Sequence, residues 1–202
     1  MEGLDTIDWA SLTHAHGEAT DLPELLRSLL SEDPEVRMEA IAHLLETIWH
    51  QGTVFPASAA AVPFLYELLS HPDVQDKGGI VCLLGAIADG RGYLEVHARD
   101  DYGERAWRRI LGKQGRSLEE ALAQEAAEID SVRRAVSAGL RHLLPYLSDA
   151  ESELRWDVAT ALGNYPEHAS WSVPAIDAAL ASNLDEHVRQ ALATSKARLT
   201  NG

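Results

Sequence analysis

The stretch Asp21–Leu45, "DLPELLRSLLSEDPEVRMEAIAHLL", holds two apolar-periodic runs separated by a short polar break. In the second run Val36, Ala40, Leu44 and Ile48 recur at the spacing of one helix face. Asp33-Pro34 opens it with a cap followed by proline at the first helical position, where a missing N–H costs nothing. Three further stretches repeat the design: "AVPFLYELLSHPDVQDKGGIVCLLGAI" from Ala61, "GLRHLLPYLSDAESELRWDVATALGNY" from Gly139, and "SVPAIDAALASNLDEHVRQALATSKARL" from Ser172. Pro23, Pro63 and Pro174 take the same place in three of the first helices, and the first two lie 40 residues apart. Asp21 and Ser172, each two residues before its proline, are the expected N-caps. Val36-Arg37, Val74-Gln75, Leu154-Arg155 and Val188-Arg189 are expected to open the second helices. One hairpin alone leaves an apolar face wet, so the units must stack.

Composition agrees. Ala and Leu dominate an apolar content of 46% and strand-like alternation is absent, so the expectation is helix with no strand at all. With 17 basic residues against 32 acidic ones the net charge is −15, which disfavours nucleic acid and anionic membrane and favours a basic partner. Cys82 is the single cysteine and sits in an apolar run, where a small buried hydrophobe is expected. The acidic start "MEGLDTIDWASL" does not read as a signal peptide, and no segment reaches about 18 uninterrupted apolar residues. The expected compartment is the cytoplasm.

In "DPEVRMEAIAHL" (Asp33–Leu44), "DAESELRWDVATAL" (Asp149–Leu162) and "NLDEHVRQALA" (Asn183–Ala193), the chain resembles the HEAT-repeat, armadillo-type family. That resemblance implies an all-α, right-handed α–α solenoid of about four hairpins with an insertion. It also implies structural roles for Arg37, Arg155 and Arg189, bonding within and between turns, and for Pro63 and Pro174 in the first helices. The second unit departs from the pattern, with Gln75 at the arginine position and Gly78-Gly79 in mid-helix. A narrower resemblance, carried by "IWHQGTVFPASAAAVPFLYELL" (48–69) and "IADGRGYLEVH" (87–97), is to a set of bacterial HEAT-repeat proteins; it implies a fold and no activity. The division expected is one domain, 1–202: an N-terminal segment 1–19, first repeats 20–90, an insertion 91–116, and a long helix with the last repeats over 117–202.

Residues 91–116 break the repeat. A loop is expected, then a short helix around Glu104–Leu111, after which Ser117–Glu120 forms a capping box at the head of a long helix. The segment concentrates arginines among Tyr93, Tyr102 and Trp107, a mixture suited to an acidic peptide or single-stranded nucleic acid. The plainer reading pairs Arg105, Arg108 and Arg109 with Glu104, Asp100 and Asp101.

The junction "WHQGT" (49–53) reads as a corner, with Gly52 a left-handed C-cap and Pro56 or Ser58 opening the next helix. Stacking would set this corner beside "DGRGYLEVH", giving a partner-binding edge of Trp49, His50, Gln51, Tyr93, His97, Arg99 and Trp107. His14-Ala-His16 has a spacing that can present two imidazoles, but no Cys or HExxH supports it, so no metal site and no cofactor is assigned. No nucleophile elbow, P-loop or dinucleotide fingerprint occurs, and no enzyme is expected. The expected function is a protein- or peptide-binding module, including an inhibitor or immunity-type partner of a basic protein. The alternatives are a HEAT-like DNA-repair glycosylase, for which Trp107, Arg108 and Arg109 speak, and a pigment- or small-molecule-handling protein.

Overall fold

A computed structural model describes residues 1–75, 77–182 and 184–201. Ten α-helices carry the described residues, with no closed sheet. They are α1 Leu22–Ser28, α2 Pro34–Thr47, α3 Pro56–Ser70, α4 Lys77–Ala88, α5 Tyr93–His97, α6 Asp101–Lys113, α7 Leu118–Gly139, α8 Ser152–Gly163, α9 Ala169–Leu180 and α10 Glu186–Asn201. A run of 3-10 turns, Leu140–Ser148, continues from α7.

The helices pack in two rows. In one, α2 lies on α4, α4 on α8, and α8 on α10; in the other, α1 lies on α3 and α3 on α7, whose 3-10 continuation meets α9. The rows bury one continuous core between them, including Leu44, Leu65, Leu84, Val136, Leu162 and Leu192. Tyr66 locks α3 to α7: its ring faces Gly139, where a Cβ would overlap it, and its hydroxyl donates to the Val136 carbonyl at 2.9 Å. Burial pushes that hydroxyl's pKa far up, so it stays a donor. The glycines of the second unit also serve close approach. A Cβ at Gly79 would come within 3.0 Å of Ile41 on α2, and one at Gly85 within 3.0 Å of Asp157 on α8.

The turns repeat one chemistry. Asp33 accepts from Glu35 N–H, Asp149 from Glu151 N–H, and Asp185 from Val188 N–H, each tying down a free amide at a helix start. Arg37 donates to the carbonyls of Ser31 and Glu32, Arg155 reaches Ser152 and Asp185, and Arg189 reaches the Leu180 carbonyl. Arg155 thus joins α8 to the turn before α10.

Several local expectations are corrected. Strands exist: β1 Thr13–His14 pairs with β2 Gly17–Glu18, and β3 Trp49–His50 with β4 Thr53–Val54. The corner is therefore a two-residue hairpin, because Gln51 (φ 51°) and Gly52 (φ 87°) both take the left-handed conformation that such a turn needs; Ile48, not Gly52, ends α2. Ser172 lies inside α9, where its hydroxyl bonds back to the His168 carbonyl, so it caps nothing. Asp21 precedes α1, but its carboxylate meets His14 instead of a helix amide. Val74-Gln75 precede α4, and Gly78-Gly79 fall in its first turn. The short helix expected around Glu104–Leu111 is present and longer, α6 Asp101–Lys113, and the loop expected before it holds the helix α5; Asp100 caps α6 through Gly103 N–H. The Ser117–Glu120 capping box forms, and α7 runs unbroken through Asp130-Ser131. Asn183, the first residue of the last repeat stretch, and Gly202 lie outside the described residues.

Candidate functional site

A groove follows the row of α2, α4, α8 and α10. Its deeper part, a cavity of about 410 Å³, is lined by Leu45 and Trp49 from the end of α2 and β3, Cys82, Gly85 and Asp89 from α4 and its end, and Trp156, Asp157 and Thr160 from α8. A second hollow of about 370 Å³ shares Asp89, Trp156 and Thr160 and continues to His187, Gln190 and Arg198 on α10. The two make one path across four elements. Trp156 and His187 lie in an offset parallel stack, with ring centroids 5.7 Å apart and planes 7° apart.

The groove is acidic inside. Burial raises the Asp157 carboxyl to about 6, with the Cys82 thiol opposing as a hydrogen-bond partner and Glu153 adding to the rise. Burial, and then the neighbouring Asp157, push the Cys82 thiol up to about 11, so it stays protonated. Asp89 is held at the rim by Asn164, whose amide donates to the Asp89 carboxylate at 2.9 Å. Asn164 is a hub: its side-chain oxygen accepts from Arg198 at 3.1 Å and its carbonyl from Arg133 at 2.7 Å. Arg133 also lies 4.6 Å above the Tyr165 ring. Burial, opposed by Arg133, takes the Tyr165 hydroxyl to about 12.

The residues expected on one binding edge divide into two groups. Trp49 faces the groove, and His50, its neighbour on β3, faces Glu46 on the other side at 3.2 Å. Gln51 is exposed at the turn. The backbone of the corner meets the next turn directly, with Val54 N–H donating to the Arg91 carbonyl and Arg91 N–H to Gly52. Tyr93, His97 and Trp107 form a separate aromatic trio on α5 and α6, with Tyr93 4.3 Å from His97 and 5.6 Å from Trp107 between ring centroids. Trp107 packs on a small second core of Leu111, Leu118 and Ala121. Arg99 is exposed. Arg108 pairs with Glu104 and Glu119, while Asp100 serves the helix cap, so the expected three-way pairing holds only for Arg108 with Glu104.

His14 and His16 take different roles from the paired one their spacing offers. His14 is buried between Asp21 and the backbone of His16, and His16 is exposed near His50 and Glu46. Those last three are the described residues whose donor atoms gather closely enough to hold a metal ion.

Asp89, Trp156, Asp157, Asn164, His187 and Arg198 carried no site expectation, and Cys82, expected as a small buried hydrophobe, is only partly buried and lines the cavity. Trp156 and Gln190, which follow Arg155 and Arg189, line the groove, whereas Met38, which follows Arg37, lines a separate hollow beside Leu29 and Ile41.

No family model matches the chain, and no curated protein matches it. A crystal structure of an engineered protein is similar over 91% of this chain and 81% of its own, at 23% identity and a TM-score of 0.39. Among the described residues no helix is long and apolar enough to cross a membrane.

Proposed function

We propose that this chain is a HEAT-like repeat protein whose second helices line a groove that binds a protein or peptide segment by a basic side chain. Four hairpins make the right-handed solenoid of this reading: α1 with α2, α3 with α4, the end of α7 and its 3-10 run with α8, and α9 with α10. The recurrent Asp caps and Arg contacts of the turns support it. Trp49 and Trp156 supply aromatic surface for a cation, and Asp157 and Asp89 supply carboxylates in the same hollow. That coincidence of aromatic and acidic groups is the observation that carries the reading. The net charge of −15 adds long-range attraction for a basic partner.

The test is selection from a displayed peptide library on the whole chain, with Trp156→Ala as the counter-target. Enrichment of peptides carrying Lys or Arg, with affinity about 5- to 30-fold weaker for Trp156→Ala, is expected, in line with the loss of an aromatic contact worth about 1–2 kcal/mol. Enrichment without a basic residue, or equal binding by the variant, overturns it. Oligonucleotide retention that falls steeply with salt would replace it with the nucleic-acid repair reading, for which Trp107, Arg108 and Arg109 speak.

A further inference from the structure

We propose that His16, Glu46 and His50 form a binding site for a divalent transition-metal ion of the zinc class, independent of the groove. Three segments bring the ligands together. Glu46 lies in the last turn of α2, His50 four residues on in β3, and His16 at the tip of the β1–β2 hairpin. One donor atom from each lies within 4.8 Å of the other two. Two imidazoles and a carboxylate are a borderline donor set that suits Zn²⁺, with a fourth position left to water or an external ligand.

Two details of His50 point to an ion more than to an ion pair. A tetrahedral ion with bonds of about 2.0–2.1 Å holds neighbouring donors roughly 3.3 Å apart. His50 Nδ1 and Glu46 Oε2 are 3.2 Å apart, already at that edge length. Yet Nδ1 is shielded from solvent and makes no hydrogen bond. A metal ion gives this atom a partner. His16, whose ring stands edge-on to His50 at 5.5 Å between centroids, closes the set by a small side-chain rotation.

The hairpin that carries His16 is positioned in advance. Ala15 N–H donates to the Thr47 carbonyl at 3.0 Å, which pins the hairpin tip to the end of α2. His16 N–H donates to His14 Nδ1 at 3.0 Å, so that nitrogen is an acceptor. His14 Nε2 therefore carries the proton, which it donates to Asp21 at 3.0 Å. Both His14 nitrogens are used, so His14 is a positioning residue and not a ligand. The "HAH" stretch works as one ligand and one support.

The test uses the whole chain, stripped with chelator and titrated with ZnCl₂ by calorimetry and with CoCl₂ by visible absorption. One ion per chain is expected, with the intense ligand-field bands of a distorted tetrahedral Co²⁺ site. His16→Ala and Glu46→Gln, both at exposed side chains, are expected to weaken Zn²⁺ binding more than about 100-fold, beyond the 10–100-fold typical of outer-shell changes. Zinc should raise the melting temperature of the wild type and leave both variants unmoved. Micromolar Zn²⁺ binding unchanged in either folded variant would take that residue out of the ligand set and overturn the proposal. Absence of binding to the wild type would overturn it as well. Near-ultraviolet circular dichroism confirms that each variant is folded, and either variant alone suffices as the test.

Discussion

The corner at residues 46–54 and the insertion at 91–116 are alike in composition and opposite in construction. Each mixes tryptophan, histidine and glycine with charge, the mixture that marks a binding loop. The corner is tied into the main core. Ser58 accepts from Phe55 N–H at 2.8 Å and donates to the Ile48 carbonyl at 2.5 Å, so one buried hydroxyl closes the end of α2 against the start of α3. The insertion rests on its own small core around Leu111, Leu118 and Ala121. It is also held to α7 by Glu125, which accepts from Leu94 N–H at 2.7 Å and Glu95 N–H at 2.9 Å. Similar residues thus serve a rigid joint in one place and a separable flap in the other.

The largest effect that tests this difference comes from Ser58→Ala. It leaves the Ile48 carbonyl and the Phe55 amide without their partner in a site where Ser58 is fully buried. Leaving buried polar groups unpaired costs about 1–3 kcal/mol. Thermal unfolding should show a single transition lowered by roughly 3–9 °C for a chain of this size. A melting point within about a degree of the wild type, well short of that range, would mean that the corner is not part of the cooperative core.

A smaller effect separates the groove floor from the insertion by pH. Asp157 is raised from near 3.8 to about 6 in the folded chain, chiefly by burial. Between those values the folded state binds more protons than the unfolded one, so stability falls as pH rises through this window. The favourable contribution is present in full below about pH 4 and gone above the folded value. Asp157→Asn should therefore be more stable than the wild type at pH 7, by about 1 kcal/mol once partial exposure is discounted, and the gap should close towards pH 4. Paired urea titrations at both pH values measure it. A constant difference between the two chains would remove Asp157 as the source. A cation bound in the groove would also favour the ionised carboxylate, so a basic ligand should bind more weakly as pH falls below 6.

The helices were legible because their apolar residues recur at helical spacing and their starts carry Asp, Ser or Pro. The corner was half legible. Gly52 was placed in the left-handed region correctly, but the positive φ at Gln51 was not foreseen, and two such residues in a row make a hairpin where one makes a helix cap. In the insertion the helix around Glu104–Leu111 was legible, but α5 and the first turn of α6 looked like a loop because Gly90, Gly92, Asp100 and Gly103 break the helical pattern; Asp100 turns out to be a cap, and Gly103 sits where a Cβ would overlap the His97 carbonyl. The groove was hidden for another reason. Trp156 and Asp157 follow a turn arginine and read as ordinary members of a repeat, and only the packing of α4 on α8 puts them opposite Cys82 and Asp89. Likewise, His16 and Glu46 are 30 residues apart and meet because a hairpin tip bonds to Thr47.

The smallest effect is expected in the insertion itself. Glu125→Ala removes the carboxylate that satisfies the first amides of α5, a helix of five residues too short to persist without outside support. A lost capping interaction of this kind costs about 1 kcal/mol, equivalent to roughly fivefold faster exchange of the amides it held. The loss should stay local, because α5 and α6 rest on the second core while the two rows of helices keep theirs. Hydrogen exchange should accelerate at Leu94 and Glu95, with protection of Leu65 and Leu84 unchanged. Were the same variant to lower protection in α3 and α4 equally, the insertion would belong to the cooperative unit, and the contrast between joint and flap would fail.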